Sequence, residues 1–490
     1  MLKKQHYSLM FVILGSVALN FLNSPVTEIF FDDKEIFKYV GLVIYKGGVP
    51  YRDVFDHKPP LIYFLNAFNW WFDAWMPWLL DTCLILFATL LFYWLCRKNR
   101  LARPWLLPLL FNLLIRYSLI SFGNGMTREY TGAFLLIFFC VMQGSARYKY
   151  FILGLLVALT GWMQQDALLT LAPFLIYSFF VSEKPTKNEL GKRIISMASG
   201  FVVICVPVII YFSNNQSLKW LWKDAFLFNL HAPGSHPGFF NQLKTIKHSL
   251  HEAEFEMAFY TALILGLTSL LLKNKSRTLT YMALLTLVFS FAGEFLSGRL
   301  ASGPGFIYYL LPLAASIPIL LYVVFTEAPI SFLQDKTAQF ILSIIAGTTI
   351  LLGTIRYATG FRFSTDKDIG FAKDPEIEYL KNIPLSDYEL FVFDDSNLIY
   401  LYNYHKILCP TPWIYHYFWA WDKNFDPEDK VLNSIFHDLQ AHRTRFILDC
   451  STARNNIQNK KVYDAWQQFL QSHYVPVMKY PSNRVLWRIQ

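Results

Sequence analysis

The chain carries more long apolar runs than the core of a soluble domain can absorb. A membrane-spanning helix needs roughly 20 mostly apolar residues, and about eleven stretches approach that length. They lie near residues 7–24, 77–96, 104–121, 130–144, 150–164, 166–182, 194–212, 256–273, 278–294, 306–326 and 337–354. Charged residues make up 16%, well below the roughly 25% of a soluble domain. Mean hydropathy is +0.31. The expected fold is therefore mainly α: a polytopic membrane helix bundle of about 11 transmembrane helices, ending in a small extracytoplasmic α/β domain. Aromatic residues, at 18%, suit lipid-facing stretches with belts at the interfaces.

The polar loops test this reading through the excess of Lys and Arg on the cytoplasmic side. With Lys3 and Lys4 inside, alternation puts loops 97–103, 147–149, 184–193, 273–277 and 327–336 inside as well. The first four are basic in balance and the fifth is nearly neutral. The net charge of +9 thus sits in short loops. A nucleic-acid binder would gather it on one face or tail, so no nucleic-acid partner is expected. Asn20, Asn23, Ser24 and Pro25 do not make a small-x-small cleavage site, and the first run is read as an uncleaved helix. Residues 60–72 are apolar enough to span, but a span there would move 97–100 outside. They are read as an interfacial helix, with Trp70 and Trp71 at headgroup level.

The outer face then holds a loop over 25–76, a second over 213–255, and everything after about residue 356. Residues 1–355 form the expected membrane domain and 356–490 the soluble one. Strand-like runs occur at 389–393, 398–401, 446–448 and 485–489, with helical patterns at 429–442 and 461–472. Cys83, Cys96, Cys140 and Cys205 fall in apolar runs and read as packing residues. Cys409 and Cys450 lie in the soluble part, where an oxidising compartment would allow a disulfide.

Chemistry concentrates in the first outer loop. It reads Asp32-Asp33-Lys34-Glu35-Ile36-Phe37-Lys38-Tyr39, then Gly47-Gly48-Val49-Pro50-Tyr51-Arg52-Asp53-Val54-Phe55-Asp56-His57-Lys58-Pro59-Pro60. Mixed charges in a loop are commonly just solvated. At the mouth of a membrane bundle they also supply what chemistry on an anionic lipid requires. A carboxylate can take a proton from an attacking hydroxyl, and Lys or Arg can hold a phosphate leaving group.

Asp33, its spacing to Phe37 and Tyr39, and the run from Gly47 to Tyr63 resemble the first loop of the type-C glycosyltransferases. The likeness is to the bacterial branch related to protein O-mannosyltransferases and lipid A aminoarabinose transferases. The resemblance covers the first 355 residues or so and implies a polyprenyl-phosphate sugar donor, a hydroxyl acceptor and a site at the outer membrane face. It implies that Asp33 is the catalytic or acceptor-positioning carboxylate, with Asp32 and Glu35 as rivals. Lys58 matches the lysine of the family that binds lipid phosphate, with His57, Arg52 and Glu35 around it. Glu129, in Gly125-Met126-Thr127-Arg128-Glu129, matches a second acidic position, although an interfacial charge paired with Arg128 is the plainer reading. Arg299 and Tyr308 resemble a Gly-Arg element before a late helix. An outer-edge arginine is otherwise commonly a snorkelling anchor. The chain departs from its relatives at Gln164 and Asp166, where Lys-Gln is common, and at Ile307, where a His is common.

Eleven histidines raise the possibility of a metal site. His231 and His236 flank Pro233-Gly234-Ser235, and His248 and His251 are three apart with Glu252 and Glu254 close by. Nothing completes a ligand set, and no cofactor is expected. The absence of a Walker A loop or a Rossmann glycine fingerprint fits a lipid-linked donor. Two other classes compete: a transporter or flippase of lipid-linked saccharides, and a polymerase or ligase. A transporter usually buries charges at midplane depth, whereas here most charges fall in loops or at helix edges.

Overall fold

The computed structural model describes residues 2–21, 24–26, 32–117, 125–181, 185–231, 244, 246–248, 250–251, 255–271, 277–291, 310–327, 374–415, 430–451, 460–480 and 482–490. The first helices are α1 (Leu2–Phe21), α2 (Asp32–Tyr45), α3 (Leu61–Trp71), α4 (Trp75–Lys98) and α5 (Leu106–Tyr117). Next come α6 (Thr127–Gln143), α7 (Lys149–Met163), α8 (Leu168–Ile176) running into a π-helical turn Tyr177–Val181, and α9 (Lys187–Asn214). A helical stretch over 218–231 follows, π-helical across Leu221–Leu227. Then come α10 (Glu256–Leu271), α11 (Arg277–Phe289) and α12 (Leu313–Glu327). The remainder comprises α13 (Pro375–Lys381), β1 (Leu390–Phe393), α14 (Tyr400–His405), α15 (Lys430–Ala441), β2 (Phe446–Asp449), α16 (Lys460–His473), β3 (Tyr474–Lys479) and β4 (Val485–Ile489).

The chain divides into two compact units, each discontinuous in sequence. One comprises Met1–Glu28, Pro77–Ile210 and Gly234–Phe363; the other comprises Ile29–Met76, Tyr211–Pro233 and Ser364–Gln490.

Among its described residues the first unit has helices and turns but no strand. Each expected apolar run from 7–24 to 306–326 overlaps a helix within its described residues, and 337–354 lies outside the described residues. Among the described residues two helices, α4 and α9, are long and apolar enough to cross a membrane; shorter apolar helical segments of 10–17 residues include His6–Phe21 within α1. Only 11% of the most apolar stretch of α9 is buried. Ile194, Ile195, Phe201, Val202, Val203, Val206, Ile209 and Ile210 are all exposed along it. Apolar surface of that extent calls for lipid rather than water. Its opposite in character is α12, which is buried all round from Leu313 to Val324 and so forms the centre of the bundle. Small residues set the closest approach of two helices. A Cβ at Gly154 in α7 would overlap the Met197 carbonyl of α9, and one at Gly200 in α9 would overlap the Phe151 carbonyl of α7. With lipid as poor a competitor as leucine, such close backbone packing is what holds membrane helices together.

The second unit contains a four-stranded sheet in the order β1-β2-β4-β3. β1 and β2 run parallel, with Leu390 opposite Phe446, while β2–β4 and β4–β3 are antiparallel. Helices α15 and α16 follow the expected helical patterns, and Trp466 of α16 is buried against Phe393 of β1 with ring centroids 3.9 Å apart. The expected strand at 398–401 is helical instead. The side chain of Asp395 accepts from the Asn397 amide at 3.1 Å and starts a 3₁₀ turn, Ser396–Ile399, that leads into α14. β3 has no counterpart among the expected strands. It is an edge strand with Pro476 beside a register shift, the setting in which proline is tolerated in a sheet.

Residues 25–76 are not an open loop where described. They fold into α2 and α3, which cross where Gly41 meets the Asn66–Ala67 backbone; a Cβ at Gly41 would lie 2.7 Å from the Ala67 nitrogen. α3 has 11 residues, about 16 Å at the helical rise and too short to span. Trp71 and Phe72 at its end are exposed, as expected of a helix with its aromatic end at an interface. Cys409 and Cys450 are both buried free thiols.

Candidate functional site

α2 ends because Gly47 adopts a φ of +89°, a conformation open to glycine at little steric penalty. The amides of Gly47 and Gly48 then donate to the carbonyls of Ile44 and Val43 at 3.0 and 2.8 Å. The next turn is closed by the Tyr51 amide on the Val54 carbonyl, 2.8 Å, and the Asp53 amide on the Val49 carbonyl, 2.9 Å. Tyr51 sits at φ 67°, a strained position for a side chain with a Cβ. Its hydroxyl donates to the Lys58 carbonyl at 2.6 Å, and its ring packs on Phe212 and Tyr63. Those contacts hold the strain in place.

Asp56 is the anchor of the run that follows. It accepts from the His57 amide at 2.7 Å, the Tyr63 hydroxyl at 2.6 Å and the Tyr415 hydroxyl at 2.7 Å. Burial alone would push its carboxyl up, but His57 and the two tyrosine hydroxyls outweigh it and hold the group down at about 2. Hydrogen bonds to the charged form act in this direction. The His57 ring lies 3.2 Å from both Asp56 Oδ1 and the Tyr415 hydroxyl, and packs on Phe228. Asn229 donates to the His57 carbonyl at 2.6 Å. The Lys58 amide and carbonyl both meet the Tyr63 hydroxyl, at 3.2 and 3.1 Å. Phe55 donates its amide to the Pro412 carbonyl at 2.8 Å and stacks on Trp413. The backbone around Lys58 is thus held by partners from the loop itself, α3, the stretch 218–231 and the segment before residue 415. The Lys58 side chain is buried within this frame.

The other expected residues of this unit fall as follows. Asp33 is half-buried in the first turn of α2, where the helix dipole favours a carboxylate. Glu35 is buried, bound to Lys38 at 3.0 Å and to the Asn403 side chain at 2.7 Å. Arg52 is largely exposed, with its guanidinium on Asp53 at 2.8 Å and on the Asn215 carbonyl at 3.2 Å. Asp224, absent from the expected set, is buried in the π-helical stretch. Burial pushes its carboxyl up to about 7, with Lys223 opposing.

Glu129 belongs to the first unit. It pairs with Arg116 at 3.2 Å and accepts from the Gly125 amide at 2.8 Å. Arg116 also pairs with Asp81 and donates to the Asn20 side chain at 2.8 Å. Arg116, Asp81 and Glu129 are all buried. Arg128 pairs not with Glu129 but with Asp166 at 2.7 Å, and Gln164 accepts from Thr127 at 2.8 Å. Asp81 and Arg116 were missed in the sequence, although a charge inside an apolar run is itself a signal. Arg299, Tyr308 and His236 lie outside the described residues. Among the described residues no three His, Cys, Asp or Glu side chains gather as a metal-ligand set. His251 instead meets Glu256 at 2.9 Å.

No family model and no curated protein matches the sequence. Solved structures do. The structure of ArnT from Cupriavidus metallidurans bound to undecaprenyl phosphate aligns with a TM-score of 0.55 at 11% identity, over 98% of this chain and 97% of that one. Its apo form aligns with a TM-score of 0.56 at 12% identity, over 99% of this chain and 98% of that one. At such identity the likeness is one of fold, and it runs the length of both chains: this chain shares the fold of that ArnT.

Proposed function

We propose that the chain is a multi-pass membrane glycosyltransferase that moves a sugar from a polyprenyl-phosphate donor to a hydroxyl acceptor, with inversion at the anomeric carbon. The observation that carries this reading is the end-to-end fold likeness to a protein solved with undecaprenyl phosphate, together with a buried lysine held in a rigid first-loop frame. The apolar helices cross the membrane with the N-terminus in the cytoplasm and the C-terminal sheet outside, in a bacterial inner membrane.

In this mechanism Asp33 takes the proton from the acceptor hydroxyl. The oxygen attacks the anomeric carbon, the bond to the phosphate oxygen breaks, and the electron pair leaves with the carrier phosphate. Lys58 balances the charge that develops there, a role that the sequence resemblance also suggests for Arg299 and Tyr308. The hydrogen bonds on the Lys58 backbone preorganise its position, and no general acid is needed for so good a leaving group. Glu129 supports the acceptor side. Arg52 and Glu35 would reach substrate only by exchanging Asp53, or Lys38 and Asn403, for it. His57 holds the loop through Asp56 and Tyr415.

One observation favours the transporter class: Arg116, Asp81 and Glu129 are buried within or at the start of apolar helices. They pair with one another, which suits a structural cluster as well as a pathway. Incubation of the reconstituted protein with a panel of polyprenyl-phosphate sugars, followed by analysis of the product anomer, separates the classes. A glycoside of inverted configuration is expected. Movement of intact donor across the bilayer without any product would replace the transferase with a flippase.

A further inference from the structure

One cluster of the helical unit takes no part in the chemistry proposed above. It lies where the N-terminal ends of α7 and α9 meet the π-helical turn after α8. The Tyr150 hydroxyl and Arg193 Nη1 both donate to the Ser178 carbonyl, each at 3.2 Å. The Arg193 guanidinium lies 5.1 Å and Lys149 Nζ 5.8 Å from the Tyr150 ring centroid. That ring packs on Phe179 at 5.6 Å. Phe179 in turn is a wall of a groove of about 390 Å³ completed by Ile194, Met197, Ala198, Phe201 and Val202. The lining is entirely apolar, and the groove runs along a helix whose apolar surface is otherwise largely exposed.

A cationic rim therefore continues directly into an apolar groove. Arg147, Lys187 and Lys192, close in sequence to this rim at the starts of α7 and α9, are exposed. The acid among them, Glu189, accepts from the Thr186 amide at 2.8 Å and hydroxyl at 3.0 Å, as part of the α9 cap. The stretches 147–149 and 187–193, separate in sequence, meet here through Lys149, Tyr150 and Arg193. A soluble anion would use the rim alone, and a neutral lipid the groove alone. We propose that this face binds an anionic phospholipid of the leaflet beside the basic loops. Its phosphate sits at Arg147, Lys187, Lys192 and Arg193, and one acyl chain lies along α9 between Phe179 and Val202. Basic pockets between membrane helices recognise anionic headgroups by the same physics.

The test uses the full chain in mild detergent, with native mass spectrometry after addition of dioleoylphosphatidylglycerol or dioleoylphosphatidylcholine. Wild type should retain the anionic lipid in preference to the neutral one. Reversing both exposed lysines (Lys187→Glu with Lys192→Glu) should lower phosphatidylglycerol retention by at least about fivefold and leave phosphatidylcholine unchanged. Ala198→Trp, at an exposed position, should fill the groove and abolish the preference, while Val206→Trp further along α9 should not. Equal retention of the two lipids by wild type would overturn the proposal, as would undiminished retention in either the lysine variant or Ala198→Trp. The lysine variant changes only surface residues, so it decides the matter even where the tryptophan disturbs folding.

Discussion

Two buried carboxylates in the second unit behave in opposite ways, and pH separates them. Asp56 is held at about 2 in the fold against an ordinary value of 3.8. A depressed acid stabilises the fold above its unfolded value and loses that contribution as pH falls through the folded one. Asp56→Asn should thus lower stability by about 2 kcal/mol at neutral pH. The gap to wild type should close between about pH 4 and pH 2, read as melting temperature against pH. Asp224 is raised to about 7, so its protonated form is the one the fold prefers. Stability is then lost as pH rises from about 4 to 7. Asp224→Asn should melt at the wild-type temperature near pH 3 and above it at pH 8, by roughly 4 kcal/mol. The motif around Lys58 was legible in the sequence. The roles of Asp56 and Asp224 were not, because Tyr63, Tyr415 and Asn229 reach this loop from elsewhere in the chain.

At the level of elements, the helix pair α7–α9 rests on two glycines in backbone contact. Replacing Gly154 or Gly200 with leucine should drive the helices apart and destabilise the bundle by about 1–3 kcal/mol, measured as detergent melting temperature. Gly191→Leu, with nothing within 4 Å of its Cβ position, should have far less effect. The apolar helices were readable from length and composition alone. α2 was hidden by its charged opening, although Ile36, Phe37, Val40, Val43 and Ile44 have helical spacing and are all buried. The 398–401 run shows the limit of short apolar patterns: four residues fit a strand or a helix equally well, and the Asp395 cap decided it.

For the whole molecule, the thickness of a bilayer sets the spacing of the apolar runs, and so the helical part is written along the chain. The second unit is not, since it gathers Ile29–Met76 and Tyr211–Pro233 with Ser364–Gln490. Its assembly depends on pairs such as Asn403 with Glu35 and the Cys409 amide with the Tyr39 hydroxyl, about 370 residues apart in sequence. The charge cluster of Arg116, Asp81 and Glu129 likewise joins three helices. The central claim is that the first-outer-loop site cleaves a sugar from a carrier phosphate. Its most direct test is release of carrier phosphate from polyprenyl-phosphate sugars in proteoliposomes by wild type, Asp33→Asn and Lys58→Ala. Wild type should release it, and each variant should fall by two orders of magnitude or so, with donor binding kept in Asp33→Asn and weakened in Lys58→Ala. Equal release by all three proteins would contradict the account.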